Sequence, residues 1–239
     1  MYIYQCRIEL HDSLYFATRE IGRLYETEPI LHNYALCYAL GLVDSHYYQT
    51  TIPSPEEEYR YFCATQVPQY EAHLTPLNEQ NIYVTPARTI THTCVLNTWK
   101  YANNNYHVEM KKTQKNIPSF GRAKEIAPES EFECFIITEK PLKFVNWNRY
   151  WIRLGKWSSK AEVTTRELPL LRQGKGVFSY PYPLNPLDVM FTHQVIRYDV
   201  INMPPVSLIR NVQLKGQYYE IEVEGQKRKL PACMEYRFN

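Results

Sequence analysis

Apolar and polar residues alternate along residues 2–10 (Tyr-Ile-Tyr-Gln-Cys-Arg-Ile-Glu-Leu), a period that predicts an opening strand. Residues 11–28 have no clean period, carry Arg19, Gly22 and Arg23, and read as a loop. Pro29 then opens the mostly apolar run from Ile30 to Leu40, with Gly41 after it. Proline at the start and glycine past the end predict a helix there, buried on most sides because nearly every face is apolar. A short helix is predicted over 53–62, with Ser54 as cap, Pro55 at the first position and acids in the first turn. From residue 82 onward helix signals thin out. Ile90–Leu96 and Tyr106–Met110 read as a strand pair joined by Asn103–Asn105, residues 111–130 as a long basic loop, and Phe132–Thr138 as a further strand. Near the end, Tyr218–Val223, the Glu224-Gly225 turn and Gln226–Leu230 form a hairpin signature. The pattern predicts an α+β fold: one early buried helix on antiparallel sheet, with much added β structure and no repeat or clear linker.

Composition narrows the class. At 239 residues the chain is long enough to bury a core unaided, as one or two domains, and a charged fraction of 22% excludes wholesale disorder. No run of eighteen apolar residues exists, and Met1–Arg7 lacks a basic region followed by an apolar core, so neither a membrane span nor a secretion signal is expected and the reading is cytoplasmic. The six cysteines (Cys6, Cys37, Cys63, Cys94, Cys134, Cys233) are scattered singly and read as reduced core residues. An excess of Tyr, 21 in all, suits strands and equally suits nucleobase platforms.

A formal net charge of +2 hides an asymmetry. Residues 1–87 carry a net −7, 88–125 a net +5, 126–139 a net −4, 140–175 a net +7 and 176–239 a net +1. The two basic tracts either converge on one cationic groove or are solvated segments that never meet, and polyanion binding depends on that local field rather than on net charge.

Familiar catalytic signatures are missing. The seven histidines (His11, His32, His46, His73, His92, His107, His193) show no metal-binding spacing, and no Walker loop, dinucleotide fingerprint or Gly-x-Ser-x-Gly elbow occurs, so no metal or cofactor is expected. A metal-independent ribonuclease needs only a base, an acid and a cation, and Tyr106, His107, Lys111 and Lys112 form the best such group. The most informative stretch is Trp147 to Val163, where Arg149, Arg153, Lys156 and Lys160 interleave with Tyr150, Trp151 and Trp157 around Gly155. It reads either as a phosphate- and base-contacting turn or as a strand with a Trp-rich core face and a solvated basic face.

The opening strand, the Phe16–Arg23 loop, the Tyr34–Leu40 helix and the Trp151–Lys156 segment, in that order, resemble the repeat-associated RNA-binding superfamily of CRISPR systems, and within it the type I-D members of the Cas-five group. The resemblance spans essentially the whole chain. It implies a ferredoxin-like, RNA-recognition-type domain over 1–239, with a β thumb at 88–130 and a strand-rich part at 176–239. It also implies a non-catalytic Cascade subunit that caps the five-prime handle of the CRISPR RNA. Such a subunit touches the large subunit and the first backbone subunit and helps recognise the protospacer-adjacent motif (PAM) of double-stranded target DNA, while a separate subunit processes the RNA. In a sister subtype the corresponding protein cleaves repeat RNA itself. The implied RNA contacts are Arg149, Tyr150, Arg153, Gly155, Lys156, Trp157 and Lys160, with Arg19 and Arg23. Those of the thumb are Lys111, Lys112, Lys115, Phe120, Arg122 and Lys124. The Arg153–Lys160 turn matches the superfamily's glycine-rich loop, with Gly155 alone where relatives often carry more.

Overall fold

The alternation over residues 2–10 becomes a strand at the centre of the largest sheet. The computed structural model describes residues 1–22, 24–43, 68–101, 119–142 and 149–238. In chain order its first elements are β1 (Tyr2–Leu10), β2 (Arg19–Ile21), β3 (Leu24–Glu26), β4 (Ile30–Leu31), α1 (Asn33–Ala39), α2 (Tyr70–Glu79), β5 (Ile82–Val84) and β6 (Ala87–Thr91). There follow β7 (Cys94–Tyr101), β8 (Ser119–Ile126), β9 (Glu131–Thr138), β10 (Arg149–Leu154), β11 (Ser159–Leu168) and β12 (Leu170–Tyr180). The last are α3 (Pro186–Val189), β13 (Gln194–Ile201), β14 (Leu208–Val223) and β15 (Gln226–Pro231). The fold is α+β, mostly antiparallel and poor in helix.

The first sheet runs β10-β11-β1-β9-β6-β4, with β5 also paired to β9. Cys6 faces Thr165 on one side and Cys134 on the other, which fixes the register. The second sheet is built on β14, which pairs with β12, β13 and β15. Its β14–β15 turn is the expected hairpin, with Glu224 and Gly225 both at positive φ (53° and 77°) as such a turn requires. The third sheet runs β2-β3-β8-β7, and β3 with β8 is a parallel pair.

Three expectations need correction. Residues 11–28 are not a plain loop: Arg19–Ile21 and Leu24–Glu26 form a small hairpin around Gly22, whose φ is 62°, and β3 docks on β8. The segment 90–96 is broken at His92–Thr93, and its second part pairs with Ser119–Ile126, a strand inside the 111–130 stretch expected as a basic loop. Tyr106–Met110 and the helix expected over 53–62 lie outside the described residues. The early helix begins at Asn33, because Ile30 and Leu31 pair with Arg88 and Ala87 instead. His32 caps it by accepting from the Tyr34 amide, and Gly41, at φ 68°, follows its end. No local pattern in the sequence predicts the helix α2.

The core gathers Ile3, Ile8, Leu10, Phe132, Phe135 and Leu154 from the first sheet, Leu36 from α1, and Leu214 and Ile221 from the second sheet. Cys6, Cys37 and Cys134 are buried, as expected of core thiols, whereas Cys94 and Cys233 are exposed and correct that reading; Cys63 lies outside the described residues. A buried polar cluster pins the C-terminal segment to α1. Asp188 accepts from Asn33 Nδ2 (2.9 Å), from the Tyr83 hydroxyl (2.8 Å) and from the Arg237 amide (3.2 Å). Burial pushes the Asp188 carboxyl up to about 7 and the His32 imidazole down to about 4, since each charged form is poorly solvated there. Among the described residues no helix is long and apolar enough to cross a membrane.

Candidate nucleic-acid interface

The basic, aromatic stretch folds as a hairpin on the edge of the first sheet. β10 and β11 pair from Arg149↔Thr164 to Leu154↔Ser159, and Gly155-Lys156-Trp157-Ser158 closes them. Gly155 has φ 76°, and a methyl group built there would lie 2.7 Å from the Tyr15 carbonyl oxygen. That oxygen accepts from the Lys156 amide (2.8 Å), so the turn is moored by its backbone to the 11–16 segment. Two more bonds hold the mooring: Ser159 Oγ donates to the Ser13 carbonyl, and the Lys160 amide donates to Asp12 Oδ2 (2.9 Å).

Strand parity decides which side chains are presented. Along β10, Tyr150, Ile152 and Leu154 face the core, while Arg149, Trp151 and Arg153 face out. The stacking expected of Tyr150 is therefore misplaced: its ring packs on the core and burial pushes its hydroxyl pKa up. Trp151, half exposed, holds the outward position, although the resemblance does not imply it as a contact. Lys160 Nζ sits 3.8 Å over its ring and His11 packs edge-on at 4.7 Å. Trp157 is also half exposed and rests on Tyr15, with centroids 4.5 Å apart.

The cations differ in how far they are already matched. Arg149 is bonded to the buried Glu162. Arg153 donates to the Ser158 carbonyl (3.1 Å) and lies 3.9 Å from Asp12. Among the described residues, Lys156 and Lys160 have no carboxylate within 4.0 Å. Further along the same sheet face Glu162, Glu9 and Glu131 stand opposite one another across β11, β1 and β9. A polyanion lying flat over this stretch of the sheet would meet that acidic line, whereas the β10–β11 turn presents its cations beyond it.

The remaining residues of the expected site are not brought to this hairpin as free cations. Arg19 is bonded to Glu26 (3.0 Å) and Glu28 (2.9 Å), and Lys124 lies 3.5 Å from Glu26. Arg122 is exposed on β8, in the third sheet. Arg122 and Lys124 thus stand on a different sheet from the Arg149–Lys160 hairpin, the two being linked by the 11–16 segment, since Leu14 bridges Ile126 while Tyr15 holds the Gly155 turn. Arg23, Lys111, Lys112, Lys115, Tyr106, His107 and the Phe120 side chain lie outside the described residues. The histidine that does reach the hairpin is His11, whose Nε2 is 3.8 Å from Glu162; it is far from the hairpin in sequence, and only the pairing of β1 with β11 brings it there.

The fold and this edge define a mostly antiparallel α+β protein with a basic, aromatic hairpin at the edge of its largest sheet. The family of the type I-D CRISPR-associated protein Cas5/Csc1 matches residues 1–239, and the chain belongs to that family of CRISPR effector subunits. No curated protein matches the sequence. Among solved structures, the chain is similar to one in the cryo-EM structure of the type III-B Cmr-beta bound to cognate target RNA and AMPPnP, at 10% identity over 88% of this chain and 86% of that one, with a TM-score of 0.45. It is also similar to a CRISPR protein from Archaeoglobus fulgidus in a crystal structure, at 10% identity over 95% and 98% of the two chains, with a TM-score of 0.44.

Proposed function

We propose that the chain is the non-catalytic, RNA-binding subunit that caps the five-prime handle of the CRISPR RNA in a type I-D Cascade complex. The observation that carries this reading is the Gly155 turn, moored by its backbone so that Arg153, Lys156, Lys160, Trp151 and Trp157 project from one edge. Cations beside exposed aromatics serve single-stranded nucleic acid, the first for phosphates and the second for base stacking. In this reading the first sheet with α1 is the ferredoxin-like unit, and the β7–β8 ladder, running from Cys94↔Ile126 out to Tyr101↔Ser119, is the base of the thumb. The thumb and C-terminal sheet then meet the large subunit, the backbone subunits and the PAM duplex, in the cytoplasm.

The test is salt-dependent binding of handle RNA. Replacing Arg153, Lys156 and Lys160 together by Ala should flatten the slope of log K against log salt by about 2, roughly 0.7 for each lost single-strand phosphate contact. A folded triple variant with unchanged affinity and slope would sink the assignment.

One observation favours a second reading, a metal-independent endoribonuclease. His11, Glu162 and Lys160 bring an imidazole, a carboxylate and a cation to the same edge. Repeat RNA incubated with the isolated protein in chelator separates the two. Cutting at one position, slowed about a hundredfold by His11→Ala, would make the protein an enzyme; intact RNA leaves it a binder.

A further inference from the structure

Behind the Gly155 turn lies a cavity of about 300 Å³, walled by Phe16, Tyr70, Ala35, His32 and Met203, with Lys156 also in its lining. The volume is at the lower end of small-ligand pockets, ~300–1,000 Å³, and suits one flat ring system rather than a peptide segment. A second cavity of about 530 Å³ shares the Phe16, Ala35 and Tyr70 walls and reaches Arg153 and Gly155. The aromatic walls come from separate elements: Phe16 from the segment that moors the turn, Tyr70 from the start of α2, and His32 from the cap of α1.

We infer that this cavity takes one unpaired nucleobase of the bound strand, stacked against Phe16 and Tyr70, while the phosphate beside it sits at Lys156. The inference rests on the RNA-binding reading above. Charge complementarity selects the occupant: Lys156 is a cation with no carboxylate within 4.0 Å among the described residues, and an anionic polymer held there offers a flat aromatic group one short arm away from each phosphate. The walls also set the specificity. His32 Nδ1 accepts from the Tyr34 amide (3.2 Å) and its Nε2 lies 3.1 Å from the Val206 carbonyl, so both ring nitrogens are engaged. Thr18 Oγ1 donates to the Glu26 carbonyl (3.0 Å) and accepts from the Glu28 amide (2.8 Å). Neither side chain is left to read a base edge. The pocket therefore selects a ring by shape and stacking and accepts any of the four bases.

Photocrosslinking and affinity test this with the full chain. Single-stranded RNA carrying 5-iodouridine should crosslink to Phe16 or Tyr70. Ala35→Phe, which fills the cavity and keeps its walls, should remove that crosslink and weaken RNA binding about tenfold, the size of one lost base stack, with the salt slope unchanged. Tyr70→Ala should lower affinity to the same degree, and uridine, cytidine and adenosine homopolymers should bind within about threefold of one another. Crosslinks confined to Trp151 and Trp157, or wild-type affinity in Ala35→Phe, would overturn the pocket and assign its filling to another chain. A preference above about tenfold for one base would overturn recognition by shape. If the Arg153, Lys156, Lys160 triple variant loses slope while the pocket arms fail, the RNA-binding reading stands and the pocket falls. If the triple variant binds as wild type does, both fall.

Discussion

Gly155 packs against Tyr15 so closely that a Cβ on it would lie 2.7 Å from the Tyr15 carbonyl oxygen and 2.8 Å from Leu14 Cδ1. Its φ of 76° is also one that side chains rarely adopt. Gly155→Ala therefore meets both a strained backbone, worth ~1–3 kcal/mol, and a collision with a main-chain atom that cannot swing away. Thermal unfolding should shift down accordingly. RNA affinity should fall about tenfold, because the turn cannot keep its mooring and still present Lys156. An alanine variant with wild-type melting and binding would show that the turn is not anchored this way.

Parity along β10 gives a paired outcome. Trp151→Ala should weaken RNA binding about tenfold through the lost stack, while Tyr150→Phe should leave it within about twofold. Fluorescence anisotropy on both variants, with circular dichroism to confirm folding, checks the contrast. A loss confined to Tyr150→Phe would mean that the Tyr150 hydroxyl, and not the Trp151 ring, meets the RNA.

Arg19 is committed to Glu26 and Glu28. Arg19→Ala should change neither the affinity for handle RNA by more than about twofold nor the salt slope, since its charge is already matched inside the protein. A slope flattened by about 0.7 would instead make Arg19 a phosphate contact.

Two buried groups set opposing dependences on pH. The Asp188 carboxyl, raised to about 7, keeps its proton in the native state above the ordinary aspartate range. Its contribution to stability is complete below the unfolded value of ~3.9 and is lost as pH rises through about 7. The His32 imidazole, lowered to about 4, stays neutral where the unfolded chain would charge it at ~6.5, so its contribution is lost as pH falls below that value. In wild type the two largely offset each other between these limits. Asp188→Asn should expose the histidine behaviour, with melting temperature rising from pH 4 to 6.5, and His32→Asn should expose the falling carboxylate behaviour from pH 4 to 7. Melting curves for both variants across that range check this; parallel pH profiles in all three proteins would refute it.

Parts of the fold were legible because their pattern is local. β1 alternates through its second half, β9 is a short, nearly continuous buried run, and the β14–β15 hairpin carries a turn with a specific backbone demand. Elsewhere the deciding partner is remote or the pattern is blank. The inward positions of β8 are Gly121, Ala123 and Glu125, so no apolar period marks it; Glu125 is buried there beside Asn97 Nδ2 at 2.8 Å. β3 gains a partner about a hundred residues away, which no local signal announces. Pro76 lies inside α2 and argues against a helix, yet Leu74 and Leu77 are buried on it and outweigh that local cost. At the site, the residue types and Gly155 could be read directly. The choice of Trp151 over Tyr150 follows from the parity of Ile152 and Leu154, while the capture of Arg19 by two glutamates needed the folded chain.

The position of β1 has a consequence for how the protein is made. It leaves the ribosome well before β9 and β11, between which it lies and whose residues 131–138 and 159–168 come far later. At ~5–20 residues per second, Ile3, Ile8 and Leu10 wait on the order of ten seconds before their first strand partner exists. Nascent chains stalled before residue 138 should be cleaved readily within their first ten residues, and protection should arrive only with the strand that closes over them.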